Sequence, residues 1–205
     1  MKDRIERDVG DQARRVWAGT FHSIFARIVR VEATKINYPP DFTIYDREDS
    51  KNLVSEIIRE MKLDPKTYSA GGVLARISAA KSNIITPLLY EQDKELREQD
   101  TMSKRPMIYE IYKRYTERCF RSGAMDFDDL LLQMFKLLYQ NPDNVREKYQ
   151  RIFSHVLVDE FQDTNALQYE ILKKLLLYEG SLFNICVVGD DAQSIYAFRG
   201  ATIEN

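Results

Sequence analysis

Two adjacent carboxylates, Asp159 and Glu160, follow the short apolar run Val156-Leu157-Val158 and precede Phe161-Gln162-Asp163-Thr164-Asn165. A run of that length reads as a buried strand. The acidic pair then falls where a parallel strand opens into a loop, the edge at which open α/β sheets bind ligands. There an aspartate can hold Mg²⁺, directly or through water, and a neighbouring glutamate can orient or deprotonate an attacking water. Those are the requirements of nucleotide hydrolysis, although a strand closed by an acidic turn fits the same residues. A second run, Asn184-Ile185-Cys186-Val187-Val188, ends in Gly189-Asp190, and Asp191-Ala192-Gln193-Ser194-Ile195-Tyr196-Ala197-Phe198-Arg199-Gly200-Ala201 follows directly. Gln193 offers an amide to a phosphate oxygen. Tyr196 and Phe198 offer rings on which bases can stack, and Arg199 a cation for a phosphate. The two rings fit a core role as well.

These residues need a scaffold, and the intervening pattern supplies one. From Ala166 to Tyr178, Leu167, Ile171, Leu172, Leu175 and Leu176 fall on one helical face. Strand, helix and strand make a βαβ unit with parallel strands joined right-handedly. Asp159 and Asp190 then emerge at one edge of one sheet. Upstream, residues 1–13 are charged and helical, and Arg14 to Gly19, carrying Val16, Trp17 and Ala18, reads as a short strand. Thr20 opens a helix from Phe21 to Ala33 with a stripe of Phe21, Ile24, Phe25, Ile28 and Val29. Pro39-Pro40 breaks regular structure. Amphipathic helices then run to about Gly123. One is capped by Asp46, buries Leu53, Val54, Ile57 and Ile58, and runs to about Met61. Another runs from Gly71-Gly72 to Asn83, and a third from Met107 to Arg121, with boundaries at Pro87 and Pro106. Asp126 caps a helix through Leu138. Asn141-Pro142 ends it, and a short helix to Tyr149 leads into the acidic strand. Asp128 and Asp129 read as charge at a helix N-terminus rather than metal ligands. Lys104, Arg105, Lys113, Arg114, Arg118 and Arg121 form a basic face that could touch duplex or single-stranded DNA, with solvation as its default role.

Four segments together resemble one family. VLVDEFQDTN and VVGDDAQSIYAFRGA resemble motifs II and III of superfamily 1 DNA helicases of the UvrD/Rep/PcrA type. Ala18-Gly19-Thr20-Phe21-His22-Ser23 resembles the family's TFHS motif. Ala124-Met125-Asp126-Phe127-Asp128-Asp129-Leu130-Leu131 resembles the segment where such chains re-enter the motor domain from a helical insertion. All four occur in the family's order and span nearly the whole chain. The resemblance implies an α/β fold: a RecA-like P-loop NTPase parallel sheet, incomplete here, formed by residues 1–34 and 122–205, with an all-helical inserted domain at 35–121. It implies ATP-driven translocation on single-stranded DNA with 3′-to-5′ unwinding of duplex DNA. Asp159 would bind Mg²⁺ and Glu160 would activate water. Gln193 and Asp190 would lie at the ATP, with Gln193 sensing the γ-phosphate. Thr20, Phe21, His22, Tyr196, Phe198 and Arg199 would hold DNA. Thr20 as a plain helix cap and His22 as a surface residue remain open. Gln162 and Asp163 would link nucleotide state to neighbouring motifs, with a simple turn role also open.

The sequence contains no G-x-x-x-x-G-K-[ST] run, the loop that cradles β- and γ-phosphates. The expectation is therefore a fragment, inactive alone, that works with the remainder of its polypeptide: a phosphate loop and a second motor domain. Two alternatives are a non-catalytic single-stranded DNA-binding module and the motor segment of a helicase-nuclease. Composition adds limits. The 205 residues carry a formal net charge of −2, so any nucleic-acid contact rests on a local surface rather than on bulk charge. Cys119 and Cys186 match no metal spacing and read as free, buried thiols of a reducing cytoplasm. His22 and His155 are too far apart to make a zinc site. No apolar stretch approaches membrane-spanning length.

Overall fold

Helices form where apolar residues recur at three- and four-residue spacing, and they start at capping side chains. The computed structural model describes residues 2–190. Helix α1 (Lys2–Val9) runs into a 3₁₀ turn, Gly10–Arg15. The strand expected over Arg14 to Gly19 does not form. Val16 is extended, but its N–H donates to Ala13 O, and no strand pairs with residues 16–18 among the described residues. A strand needs a ladder partner. Here Trp17 instead packs edge-on against Phe153, ring centroids 5.3 Å apart, and Arg27 lies 4.1 Å over the indole. Helix α2 (Phe21–Val31) follows, and a 3₁₀ turn over Ala33–Ile36 ends at Asn37 in the left-handed region.

Strand β1 (Thr43–Ile44) pairs in parallel with β2 (Ala124–Met125), Thr43 opposite Ala124 and Ile44 opposite Met125. Each strand feeds a helix through a reciprocal aspartate cap. Asp46 and Asp49 cap α3 (Arg47–Glu60), and Asp126 and Asp129 cap α8 (Phe127–Gln140). Between the two crossings lie α4 (Ala70–Ser82), α5 (Pro87–Gln92), α6 (Lys94–Met102) and α7 (Ile108–Arg121). After α8 come α9 (Val145–Ile152), β3 (Val156–Val158), α10 (Ala166–Leu176) and β4 (Ile185–Val187). The result is a helix-rich α/β arrangement with two short parallel sheets. None of the described helices is long and apolar enough to cross a membrane.

Buried apolar residues fall into two cores. The first joins Phe25, Ile28 and Val29 of α2 to Leu130, Met134 and Leu137 of α8 and to Ile171 of α10. The second joins Val54 and Ile57 of α3, Val73 and Ile77 of α4, and Ile111, Tyr112 and Tyr115 of α7. The sheet β3–β4 departs from expectation in burial. Val156, Val158 and Ile185 pack on the first core, but Leu157 is 72% exposed and Cys186, opposite it on the other face, is exposed too. Only one face of this two-stranded sheet is covered by the described residues, so one of the two thiols expected to be buried is not. Cys119 is buried, and burial pushes its thiol up to about 12.

A buried charge cluster joins the cores. Lys81, fully buried at the end of α4, places Nζ 2.7 Å from Asp126 Oδ2 and 2.7 Å from Asp129 Oδ1 on the first turn of α8. Tyr115 Oη donates to Asp126 Oδ2 at 2.7 Å. Burial alone would lower the Lys81 pKa, but the two carboxylates raise it well above its ordinary value, so the ammonium stays charged. Burial also opposes ionisation of Asp126, yet Lys81 outweighs it and holds that carboxyl low. Burial and the charge of Asp126 push Asp129 up to about 7. Tyr112 and Cys119 of α7 and Tyr38 complete the titratable surroundings.

Two outcomes follow. Lys81→Ala leaves buried Asp126 and Asp129 without their cation and should cost about 3–5 kcal/mol in urea unfolding; an unchanged midpoint contradicts the cluster's role. Folded Asp129 keeps its proton to about pH 7, whereas the unfolded chain releases it near pH ~4. Stability from this group is therefore fully present below the unfolded value and is lost as pH rises toward the folded one. Asp129→Asn should flatten that decline, and an unaltered pH profile of the midpoint would argue against it.

Candidate functional site

Parallel pairing of β3 and β4 puts Val156, Leu157 and Val158 opposite Ile185, Cys186 and Val187, so both strands end at one rim. The ladder continues past the strands: Val188 N–H donates to Val158 O at 2.8 Å, and Phe161 N–H donates to Val188 O at 2.9 Å. Asp159, Glu160 and Asp190 thus gather at the same carboxyl edge, all three exposed. Asp159 Oδ1 accepts from Glu160 N–H at 3.0 Å. Glu160 itself sits in the left-handed region at φ 52° and ψ 44°, an uncommon place for a residue with a Cβ. A 3₁₀ turn, Phe161–Asp163, follows, and α10 opens at Asn165, whose side chain and that of Gln168 cap each other's backbone N–H.

Gln162 organises the rim. Its side chain is buried, its Nε2 donates to Glu160 Oε2 at 2.6 Å, and its Oε1 accepts from Asp190 N–H at 3.0 Å. One amide therefore holds the carboxylate after β3 and the backbone after β4. Gly189 allows this close approach, because a Cβ there would lie 2.7 Å from Gln162 Oε1 and 3.2 Å from its backbone N. From the sequence, Gln162 stands between a link from the nucleotide to neighbouring motifs, implied by the resemblance, and a simple turn role. The available signal was its place two residues after the acidic pair, with Gly at the end of the partner strand.

The donor set at the rim is oxygen only. Asp159 and Glu160 present exposed carboxylates, and Asp163 Oδ1 is buried with no hydrogen-bond partner. Hard oxygen donors suit Mg²⁺, which is ordinarily held by one or two carboxylates plus substrate phosphates and water. Among the described residues there is no group of three or more His, Cys, Asp or Glu side chains that would hold a metal ion by itself. The residues present thus fit a cation that arrives with a triphosphate.

A second cluster lies at the start of α2 and packs on α8. Thr20 is the N-cap: its Oγ1 accepts from Ser23 N–H at 3.3 Å, and Ser23 Oγ donates back to Thr20 O at 2.9 Å. Phe21 packs on Phe25 with centroids 5.6 Å apart, and His22 meets Phe127 edge-on at 5.7 Å. Burial lowers the His22 pKa, so its ring is neutral near pH 7 and can offer an N–H but not a charge. Gln193, Tyr196, Phe198 and Arg199 lie outside the described residues. In the basic face, Arg114 pairs with Glu110, and Arg118 pairs with Glu56 and Glu60. These contacts agree with the solvated reading for those two arginines. His155 is exposed, its Nδ1 3.3 Å from Ser154 Oγ.

A helix-rich α/β chain with short parallel sheets and an acidic rim at their carboxyl ends is consistent with a helicase motor domain. The family model described as the UvrD/REP helicase N-terminal domain matches residues 1–205, and the chain belongs to that family. It is similar to the ATP-dependent DNA helicase PcrA of Staphylococcus aureus, 37% identical over 205 residues, which cover 100% of this chain and 27% of the relative. The PcrA of Staphylococcus epidermidis matches at the same 37% with the same coverage of 100% and 27%. The chain thus spans about a quarter of the length of these relatives, and the family is the one that the four motifs resemble.

The rim geometry makes a packing prediction. Gly189→Ala should displace the Gln162 side chain and cost about 1–3 kcal/mol of stability, the usual penalty for overpacking. Thermal unfolding checks it, and a variant as stable as the parent would show that the contact between Gly189 and Gln162 is not tight.

Proposed function

We propose that this chain forms part of an ATP-dependent DNA helicase and contributes both nucleotide-hydrolysis residues and a DNA-binding face. The single observation that carries this reading is the parallel pairing of β3 and β4, which brings Asp159, Glu160 and Asp190 to one rim. The relatives' names as ATP-dependent DNA helicases point the same way. In this proposal Asp159 helps hold Mg²⁺, which when bound with ATP offsets the charge on the phosphates. Glu160 orients the attacking water and takes its proton. With Oε2 engaged by Gln162, Oε1 is the oxygen left for that transfer. Asp190 and Gln193 contact the nucleotide.

Thr20, Phe21 and His22 contact the backbone of single-stranded DNA. The Thr20 hydroxyl accepts from Ser23 N–H and retains its own proton to donate, and the first amides of α2 add donors that suit a phosphate. Tyr196 and Phe198 stack bases, and Arg199 holds a phosphate. Residues 1–34 and 122–205 belong to a RecA-like motor domain and residues 35–121 to its helical insertion; the second core, from Val54 to Cys119, supports a separate helical unit, while Ile36, Tyr38 and Phe42 pack in the first core. The remaining polypeptide supplies the phosphate loop and second motor domain, and the whole moves 3′ to 5′ on single-stranded DNA and opens duplex.

The test is Glu160→Gln in the full-length polypeptide. Loss of a general base should lower ATP turnover by about 100-fold or more, while binding of a fluorescent ATP analogue stays close to that of the parent. Turnover at the parent's rate would refute the assignment.

A further inference from the structure

Lys81, Asp126 and Asp129 are used neither by the hydrolysis rim nor by the DNA face, yet all three are buried. Burying one ammonium and two carboxylates rarely adds stability over apolar side chains of similar volume. What such a cluster supplies is geometry. Apolar contacts tolerate sliding, whereas Nζ at 2.7 Å from two separate carboxylates admits one placement of α4 against α8. The carboxylates are themselves the reciprocal cap of α8, Asp129 N–H donating to Asp126 Oδ1 at 2.7 Å. Lys81 therefore grips the first turn of that helix. The other side of this turn meets α2. Phe127, directly after Asp126, packs on His22 at 5.7 Å, and Leu130 and Leu131 share a core with Phe25.

We propose that Lys81 is a positioning residue: by holding Asp126 and Asp129 it sets the first turn of α8, and through it the start of α2 that carries Thr20, Phe21 and His22, relative to the helices of the second core. The functional part of this inference rests on the reading of α2 as a DNA contact. The positional part does not. A shift in the packing of the second core would then be felt at the DNA face through a single turn of helix.

The experiment uses the full-length polypeptide with Lys81→Met, Asp126→Asn and Asp129→Asn combined. This removes the charges, keeps side-chain volume and retains good capping groups. Three quantities are read: ATP turnover without DNA, affinity for a single-stranded oligonucleotide, and hydrogen exchange of the bonded amides of residues 23–28. Turnover without DNA should stay within about twofold while DNA affinity falls about tenfold, equivalent to roughly 1.4 kcal/mol. Amides of residues 23–28 should exchange about tenfold faster, with those of α10 unchanged. Parent-like affinity and exchange would overturn the proposal. Should the triple variant fail to fold, Asp126→Asn alone, which removes one of the two partners of Lys81 and leaves Asp129, should shift affinity and exchange in the same direction by about threefold, a smaller share of the same coupling; no shift overturns it. A parent that binds no single-stranded DNA would refute the functional reading, while the exchange rates would still decide the positional one.

Discussion

A single ammonium group, sealed from water between two aspartates, is the constraint on which the arrangement of this chain depends. The two apolar cores would each form from helical stripes alone, because burial of leucine, isoleucine and tyrosine is favourable in many relative orientations. Nothing in that driving force selects how one core sits on the other. Lys81 does select it. The charge cannot leave its carboxylates without a large desolvation cost, and the carboxylates cannot leave the end of α8 without uncapping it. Helix start, strand crossing and junction between cores are thereby locked at one point.

The acidic rim follows the same logic on a smaller scale. Two three-residue strands give few ladder bonds, and a rim built on them would be loosely defined. The buried Gln162 amide compensates by tying Glu160, two residues past one strand, to Asp190, three residues past the other. A neutral side chain suits this task, since it can donate to a carboxylate and accept from a peptide N–H at once. A charged residue in its place could do only one of these.

Much of this was legible in the amino-acid sequence, for physical reasons that differ by element. Helices α2, α3, α8 and α10 announce themselves by apolar spacing, the first three also by Thr20, Asp46 and Asp126 at their starts. The shared rim follows from strand, helix and strand in succession. The family follows from four short segments in order. Other features left no readable trace. Strands β1 and β2 have two residues each, too few for any alternation to show. Val16-Trp17-Ala18 carries strand-forming residues, but the partner that would make them a strand is a matter of tertiary placement. Lys81 looks like an ordinary basic residue in the last turn of a helix, where solvent is the default. Its burial depends on two carboxylates about 45 positions away. Gln162 was visible but ambiguous, because a glutamine in a turn acquires meaning only once its neighbours in space are known.

The backbone of Glu160 has a consequence of its own. A left-handed φ of 52° is comfortable for glycine and uncomfortable for a residue bearing a Cβ. Substitution by glycine would relax the main chain and erase the carboxylate in the same stroke. Conformational ease and acidic function are therefore mutually exclusive at this position. A search for more thermostable variants of this chain would meet residue 160 among its left-handed positions, and the glycine that eases the backbone there would be the choice that removes its chemistry.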